Sequence, residues 1–252
     1  MEAPSQLMEA TPEPDAAAAE PEEAAAADAR RRPGARERRA QILREAARCF
    51  GTRGFHGTTT RDVAAAVGIT EAALYRYFSG KEAIYAAILD ERIAAPDPLA
   101  ELEGAASAGD DRAVFGGLAA VFLRSVEADP SFLRLMLYSA LEGHEMARPF
   151  QDTRIRRLRE FLTSYIAGRI RAGAFRRVDP ALAARAFLGM VVDHLIVREV
   201  FGQRDAYPQP PDEVARTFVS IFLDGVHLRA DARRGAAGTR RTAARRGRAR
   251  RG

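Results

Sequence analysis

Residues 68–82, GITEAALYRYFSGKE, gather Glu71, Tyr75, Arg76, Tyr77 and Lys81 into one short stretch. At about 100° per residue, Leu74 and Phe78 fall on one side of a helix. Ala72 and Arg76 fall opposite them, flanked by Ala73 and Tyr75. Such an outward face suits the major groove of DNA. Small Ala72 and Ala73 let a backbone approach base edges and touch thymine methyls, and Arg76 can reach guanine or phosphate. Tyr75 and Tyr77 can donate to phosphate oxygens, which sets register without reading sequence. Glu71 can accept from a cytosine amino group or complement its own helix start. Thr58 and Thr59 put hydroxyls and amides at a helix start where a phosphate would bind, and Thr70 opens the outward-facing helix itself. Lys81, the only lysine in the chain, stands in a first helical turn, where a cation opposes the macrodipole. A phosphate beside it would account for its place, and its removal would then lower the salt slope of binding by about one unit per subunit.

These residues need a scaffold, and the flanking sequence supplies helices. Ile42, Leu43, Ala46 and Phe50 form an apolar stripe over about 36–51, with Gly51 and Gly54 ending that helix. Thr59 and Asp62 make a capping pair for a helix from Thr60 to Val67, which Gly68 closes. Thr70 caps a third helix over 71–78. Ser79 and Glu82 are expected to cap a fourth, over 80–95, stopped by Pro96 and Pro98. Two short helices joined by a glycine turn, after a longer amphipathic one, form a helix-turn-helix candidate. Longer helices follow at about 111–128, 131–142, 146–172, 180–201 and 211–228, with a short one near 98–107. Pro180 and Pro211 look like first-turn prolines. The expected fold class is all-α.

With these motifs in hand, residues 51–89, GTRGFHGTTTRDVAAAVGITEAALYRYFSGKEAIYAAIL, are seen to resemble the DNA-binding domain of the TetR family of transcriptional regulators. The resemblance rests on "GF" before the threonine run, on "TTTRDVAAAVGIT", on "ALYRYF" and on "KEA" opening the fourth helix. It covers about fifty residues, counting the first helix from Arg36. It implies an all-helical homodimer with an N-terminal helix-turn-helix and a C-terminal ligand-binding and dimerisation domain. It also implies repression through operator binding, relieved by a small ligand. Glu71 departs from the family pattern, since many members carry a basic or small residue there. The division that follows is 1–29, an acidic Ala/Glu/Pro head; 30–82, the DNA-binding domain; 83–229, the ligand and dimer domain; and 230–252, an Arg-rich tail.

In the C-terminal part, helices 180–201 and 211–228 carry more apolar surface than one stripe in a small monomer requires. They are the expected dimer interface, with Phe187, Val191, His194, Phe218 and Phe222 as its candidates. Phe122, Met136, Tyr138, Phe161 and Tyr165 are the candidate lining of a pocket for a small, mostly apolar effector. Helix four, with Lys81 at one end, is the expected lever between the two functions.

Composition narrows the classes. The formal charge is +5, unevenly spread. Residues 1–29 hold eight acids and no base, whereas 229–252 hold ten arginines and one aspartate. The acidic head and the tail both lack the apolar content to fold by themselves. A polyanionic partner, double-stranded DNA, fits this balance. The single cysteine, Cys49, forbids a disulfide framework, and a cytoplasmic protein without membrane spans is expected. His144-Glu145 lacks a second histidine at zinc-protease spacing, and the four histidines are scattered. No phosphate loop or nucleophile elbow is present, so neither enzyme chemistry nor a cofactor is expected. The alternative to a regulator is an architectural protein that coats DNA through its Arg-rich tail.

Overall fold

Apolar residues at helical spacing, punctuated by glycine and proline, give a chain of helices. The computed structural model describes residues 34–143 and 145–227. The expectations on residues 1–29, 230–252 and His144 lie outside the described residues. Among the described residues, 34–40 and 41–227 fall in separate units, and the first helix begins in the former.

Helix α1 is Ala35–Arg53. It runs through Gly51 instead of ending there, because its buried side meets the start of a later helix: a Cβ at Gly51 would lie 2.7 Å from the Ser131 carbonyl oxygen. Gly54, with φ of +72°, makes the turn. Helix α2, Thr60–Val67, has the full capping box of Thr59 and Asp62 and ends on left-handed Gly68. Helix α3 is Glu71–Leu74, shorter than expected. Its continuation tightens, with Arg76 N–H bonding to Ala73 O and Tyr77 N–H to Leu74 O, three residues back instead of four. Helix α4, Lys81–Ala94, starts at Gly80 without a side-chain cap, so the expected Ser79–Glu82 pair does not form.

A 3₁₀ turn, Ala100–Leu102, leads into α5, Glu103–Ala108. Helix α6 is Asp111–Ala128 and α7 is Ser131–Leu141. Arg148–Phe150, a π turn at Gln151–Ile155, and Arg156–Arg171 run on as α8. Helix α9 is Pro180–Leu195, extended by a π turn at Ile196–Val200, and α10 is Pro211–Val226. Among the described residues the only β-structure is an isolated bridge between Phe175 and His227. Segment Pro180–Val200 has the length and apolar content to cross a membrane. Its buried residues Ala184, Phe187, Val191 and Leu195 instead join a core with α6, α8 and α10.

Two apolar cores result. The first joins α1, α2, Leu74, Phe78 and the Ile84–Leu89 stretch of α4, and takes in Leu135 of α7. The second is built around Phe115, Leu162, Phe187 and Phe222, with Phe115 and Phe187 rings 4.8 Å apart. Beside it, nearly buried Asp111 accepts both arms of Arg169 at 2.8 Å and the Tyr165 hydroxyl at 2.7 Å. This ties the start of α6 to α8. Burial by itself would raise the Asp111 carboxyl, but these hydrogen bonds outweigh it and hold it below its ordinary value.

Candidate nucleic-acid interface

The orientation of α3 decides what faces outward. Leu74 is 1% exposed and Phe78 is 7% exposed, both within the N-terminal core. Ala72 and Arg76 are exposed, and Tyr75 is 51% exposed. Ala73 is half-buried, as is Tyr77, which packs against the core. Thr70 is exposed, and its hydroxyl accepts from Ala73 N–H at 3.1 Å, so it caps α3. Helix α3 and the tightened turn that continues it thus offer small Ala72, a phenol and a guanidinium to the outside, with half-buried Ala73 at their edge.

The surrounding polar residues have partners within the chain. Thr58 is fully buried, and its hydroxyl donates to the Gly54 carbonyl at 2.8 Å, so it is not placed as a phosphate ligand. Thr59 is exposed, but its hydroxyl donates to Asp62 at 2.6 Å and serves the capping box. Glu71 stands in the first turn of α3, where its charge complements the helix start as expected, and its carboxylate turns to the chain instead of to a base: it accepts from the Thr60 hydroxyl, while Tyr75 Oη lies 3.4 Å from the same hydroxyl. That is a brace between α2 and α3. Lys81 turns inward. Its ammonium donates to Phe55 O at 3.1 Å and Thr58 O at 3.3 Å, and sits 4.4 Å from the centre of the Phe55 ring. This accounts for a cation at a helix start without a phosphate. The brace and the Lys81 bonds carry no periodic signal in the sequence.

The expected effector lining divides between the cores. Phe122, Phe161 and Tyr165 are half-buried against the C-terminal core, with Phe161 and Tyr165 stacked at 6.5 Å. Met136 packs against the N-terminal core, and the Tyr138 hydroxyl donates to Thr52 O at 3.0 Å. Both are therefore removed from the lining by contacts to the DNA-binding half. A cavity of about 10 Å³, room for one water, is bordered by Leu123, Glu127, His194, Arg198 and Glu199. An open depression of about 590 Å³ lies at Ile93–Asp97, Arg154 and Arg157. None of the five expected residues lines either.

The expected interface set also divides. Phe187, Val191 and Phe222 are buried in the chain's own core and have no surface to give a partner. His194 is half-buried between Phe218, at 5.6 Å, and Tyr207, at 6.0 Å, and burial holds its pKa below the ordinary value, helped by Arg198. Helix α9 instead leaves exposed a face that includes Leu182, Ala186, Gly189 and Val192, with Arg185 and Asp193 beside them, and α10 leaves Ile221 at 59% exposure. A helical projection centred opposite Phe187 and Val191 would have found it.

Comparison with known proteins agrees with this arrangement. Residues 42–88 match the family model described as bacterial regulatory proteins, tetR family. Residues 118–225 match the model for the AefR-like transcriptional repressor C-terminal domain. The chain is 29% identical over 194 residues to the HTH-type transcriptional repressor KstR2 of Rhodococcus jostii, covering 75% of this chain and 91% of that one. It is 41% identical over 66 residues to the HTH-type transcriptional regulator TtgR of Pseudomonas putida, covering 26% of this chain and 31% of that one. Among solved structures, the TetR family transcriptional regulator PfmR from Thermus thermophilus superposes with a TM-score of 0.56 at 29% identity, over 73% of this chain and 97% of that one.

Proposed function

Since the chain belongs to the TetR family of transcriptional regulators and is a DNA-binding regulator, we propose that it acts as a homodimeric repressor on a two-fold operator in the cytoplasm. Residues 30–82 are the DNA-binding part and 83–229 the effector and dimer part. The observation that carries this reading is the outward side of α3, with Ala72, Tyr75 and Arg76 exposed over buried Leu74 and Phe78. Arg76 reads a base or a phosphate, Tyr75 and Tyr77 donate to phosphates, and Ala72 and Ala73 permit close approach. With so few hydrogen-bonding groups on that face, DNA shape contributes much of the preference. A small, mostly apolar effector enters beside Phe122, Phe161 and Tyr165. It lowers operator affinity by its differential affinity for the two states and no more.

The test is fluorescence anisotropy with a palindromic duplex from upstream of the gene, against a scrambled duplex. The wild-type chain is expected to prefer the palindrome, and Arg76→Ala to lose about 1–3 kcal/mol of discrimination at its base position. A chain ending at residue 229 should keep the preference. Loss of most binding on that truncation, with no preference in the full chain, would leave the tail-driven coating protein as the better account.

A further inference from the structure

Two helices carry charge of the wrong sign at an end, and both charges converge on one residue. Lys81 stands at the start of α4 and Glu142 immediately after α7, each opposing its helix dipole. Lys81 donates to the Phe55 carbonyl at 3.1 Å, and the Glu142 carboxylate accepts from the Phe55 N–H at 3.2 Å. Helix stability explains neither charge, whereas fixing the turn between α1 and α2 explains both. The turn is built around this arrangement. Gly54 takes a φ of +72°, and a Cβ there would collide with Glu142 Oε1 and lie 3.2 Å from the Tyr138 ring. Tyr138 donates to the Thr52 carbonyl just before the turn. The Phe55 ring stacks on Phe50 at 5.6 Å and meets Tyr85 edge-on at 5.5 Å.

We infer that Glu142 is a positioning residue for DNA binding. Its carboxylate holds the Phe55 amide, and so the turn that sets α2, and through the Thr60–Glu71 brace α3, at the angle needed on DNA. Glu142 follows α7, a helix in the part of the chain assigned to the effector. A displacement of the α7 end therefore reaches the turn before α2 through the Glu142–Phe55 hydrogen bond, beside the Tyr138–Thr52 bond and the packing of Leu135, and in parallel with α4. The inference rests on the regulator reading above.

The experiment pairs operator affinity with hydrogen exchange at the Phe55 amide, in wild type, Glu142→Ala and Glu142→Gln. The alanine variant is expected to bind about tenfold more weakly, the scale of one lost hydrogen bond to a charged group. Its salt slope should be unchanged, because no phosphate contact is removed. Phe55 exchange should accelerate. Glutamine, whose amide oxygen still accepts, should restore most of the affinity and the protection. Should the alanine variant unfold, Glu142→Asp retracts the carboxylate without leaving a hole, and is read by the same two measurements. Wild-type affinity and wild-type Phe55 protection in the alanine or aspartate variant would overturn the inference, as would a glutamine variant no better than alanine. If wild type itself shows no operator preference, the regulator reading fails, while Phe55 exchange still decides what Glu142 holds.

Discussion

Lys81 shows how a single residue can look like a ligand contact in sequence and act as a staple in the fold. Its spacing after Ser79-Gly80 points outward, to a phosphate; its ammonium points inward, to two carbonyls and the Phe55 ring. The two placements differ in a measurable way. A phosphate contact carries about one unit of salt slope per subunit, a staple none. Lys81→Met is expected to weaken operator binding and lower the melting temperature with the slope of log K against log salt unchanged; a slope smaller by about one unit would return the residue to the DNA. The outward face of α3 is legible in the sequence because apolar periodicity fixes direction, and Leu74 and Phe78 leave little choice. The polar residues beside it are not. Whether Thr58, Glu71 or Lys81 meets solvent depends on where residues 54–60 fold back, which no local spacing encodes. Asp111 presents the same problem in the C-terminal core. Its native pKa lies below its unfolded value of about 3.8, so its contribution is complete at neutral pH and fades as pH falls through that range. Asp111→Asn should cost roughly 3 kcal/mol in urea unfolding at pH 7 and flatten the acid limb of stability against pH.

At the scale of elements, helix starts are easier to read than helix ends. Thr59 with Asp62, and the prolines Pro180 and Pro211, place α2, α9 and α10 correctly, because caps and first-turn prolines act through neighbours in sequence. Ser79 and Glu82 have the same pattern without the bond, since Gly80 takes the cap position. The π turns in α8 and α9 have no sequence signal, although the first carries Arg154, whose guanidinium donates to Ile93 O at 3.1 Å and also to Ala95 O, closing the end of α4. Gly51 reads as a helix end and is not one, for a tertiary reason: the Ser131 backbone occupies the space a side chain would need. Alanine has the higher helix propensity by nearly 1 kcal/mol. Even so, Gly51→Ala is expected to destabilise the protein by about 1–3 kcal/mol, since α1 and α7 must part to admit a methyl group. A melting temperature raised by that substitution would mean that the α1–α7 contact is loose.

On the proposed reading, a two-fold operator requires two copies of α3 about one helical turn of DNA apart, roughly 34–36 Å, and a single chain cannot supply them. The surface we propose for a second copy is what α9 and α10 leave uncovered. Leu182 is 67% exposed, Val192 37% and Ile221 59%, and a Cβ at Gly189 would meet nothing within 4 Å. Small Ala186 and Gly189 let another helix approach closely, and the larger residues supply apolar area. Because Phe187, Val191 and Phe222 are held in the chain's own core, an interface mutation can be chosen that spares the fold. Gly189→Arg puts a long charged side chain at the centre of the exposed face and touches no core residue. Light scattering should show a monomer with native circular dichroism. Operator affinity should fall by a factor of about 10² or more, because each half-site then binds alone without the gain from linkage. Binding to a single half-site duplex should be unchanged. A Gly189→Arg protein that remains dimeric and keeps full operator affinity would move the interface elsewhere. One that is monomeric yet binds the full operator as tightly as wild type would remove the need for a dimer on DNA.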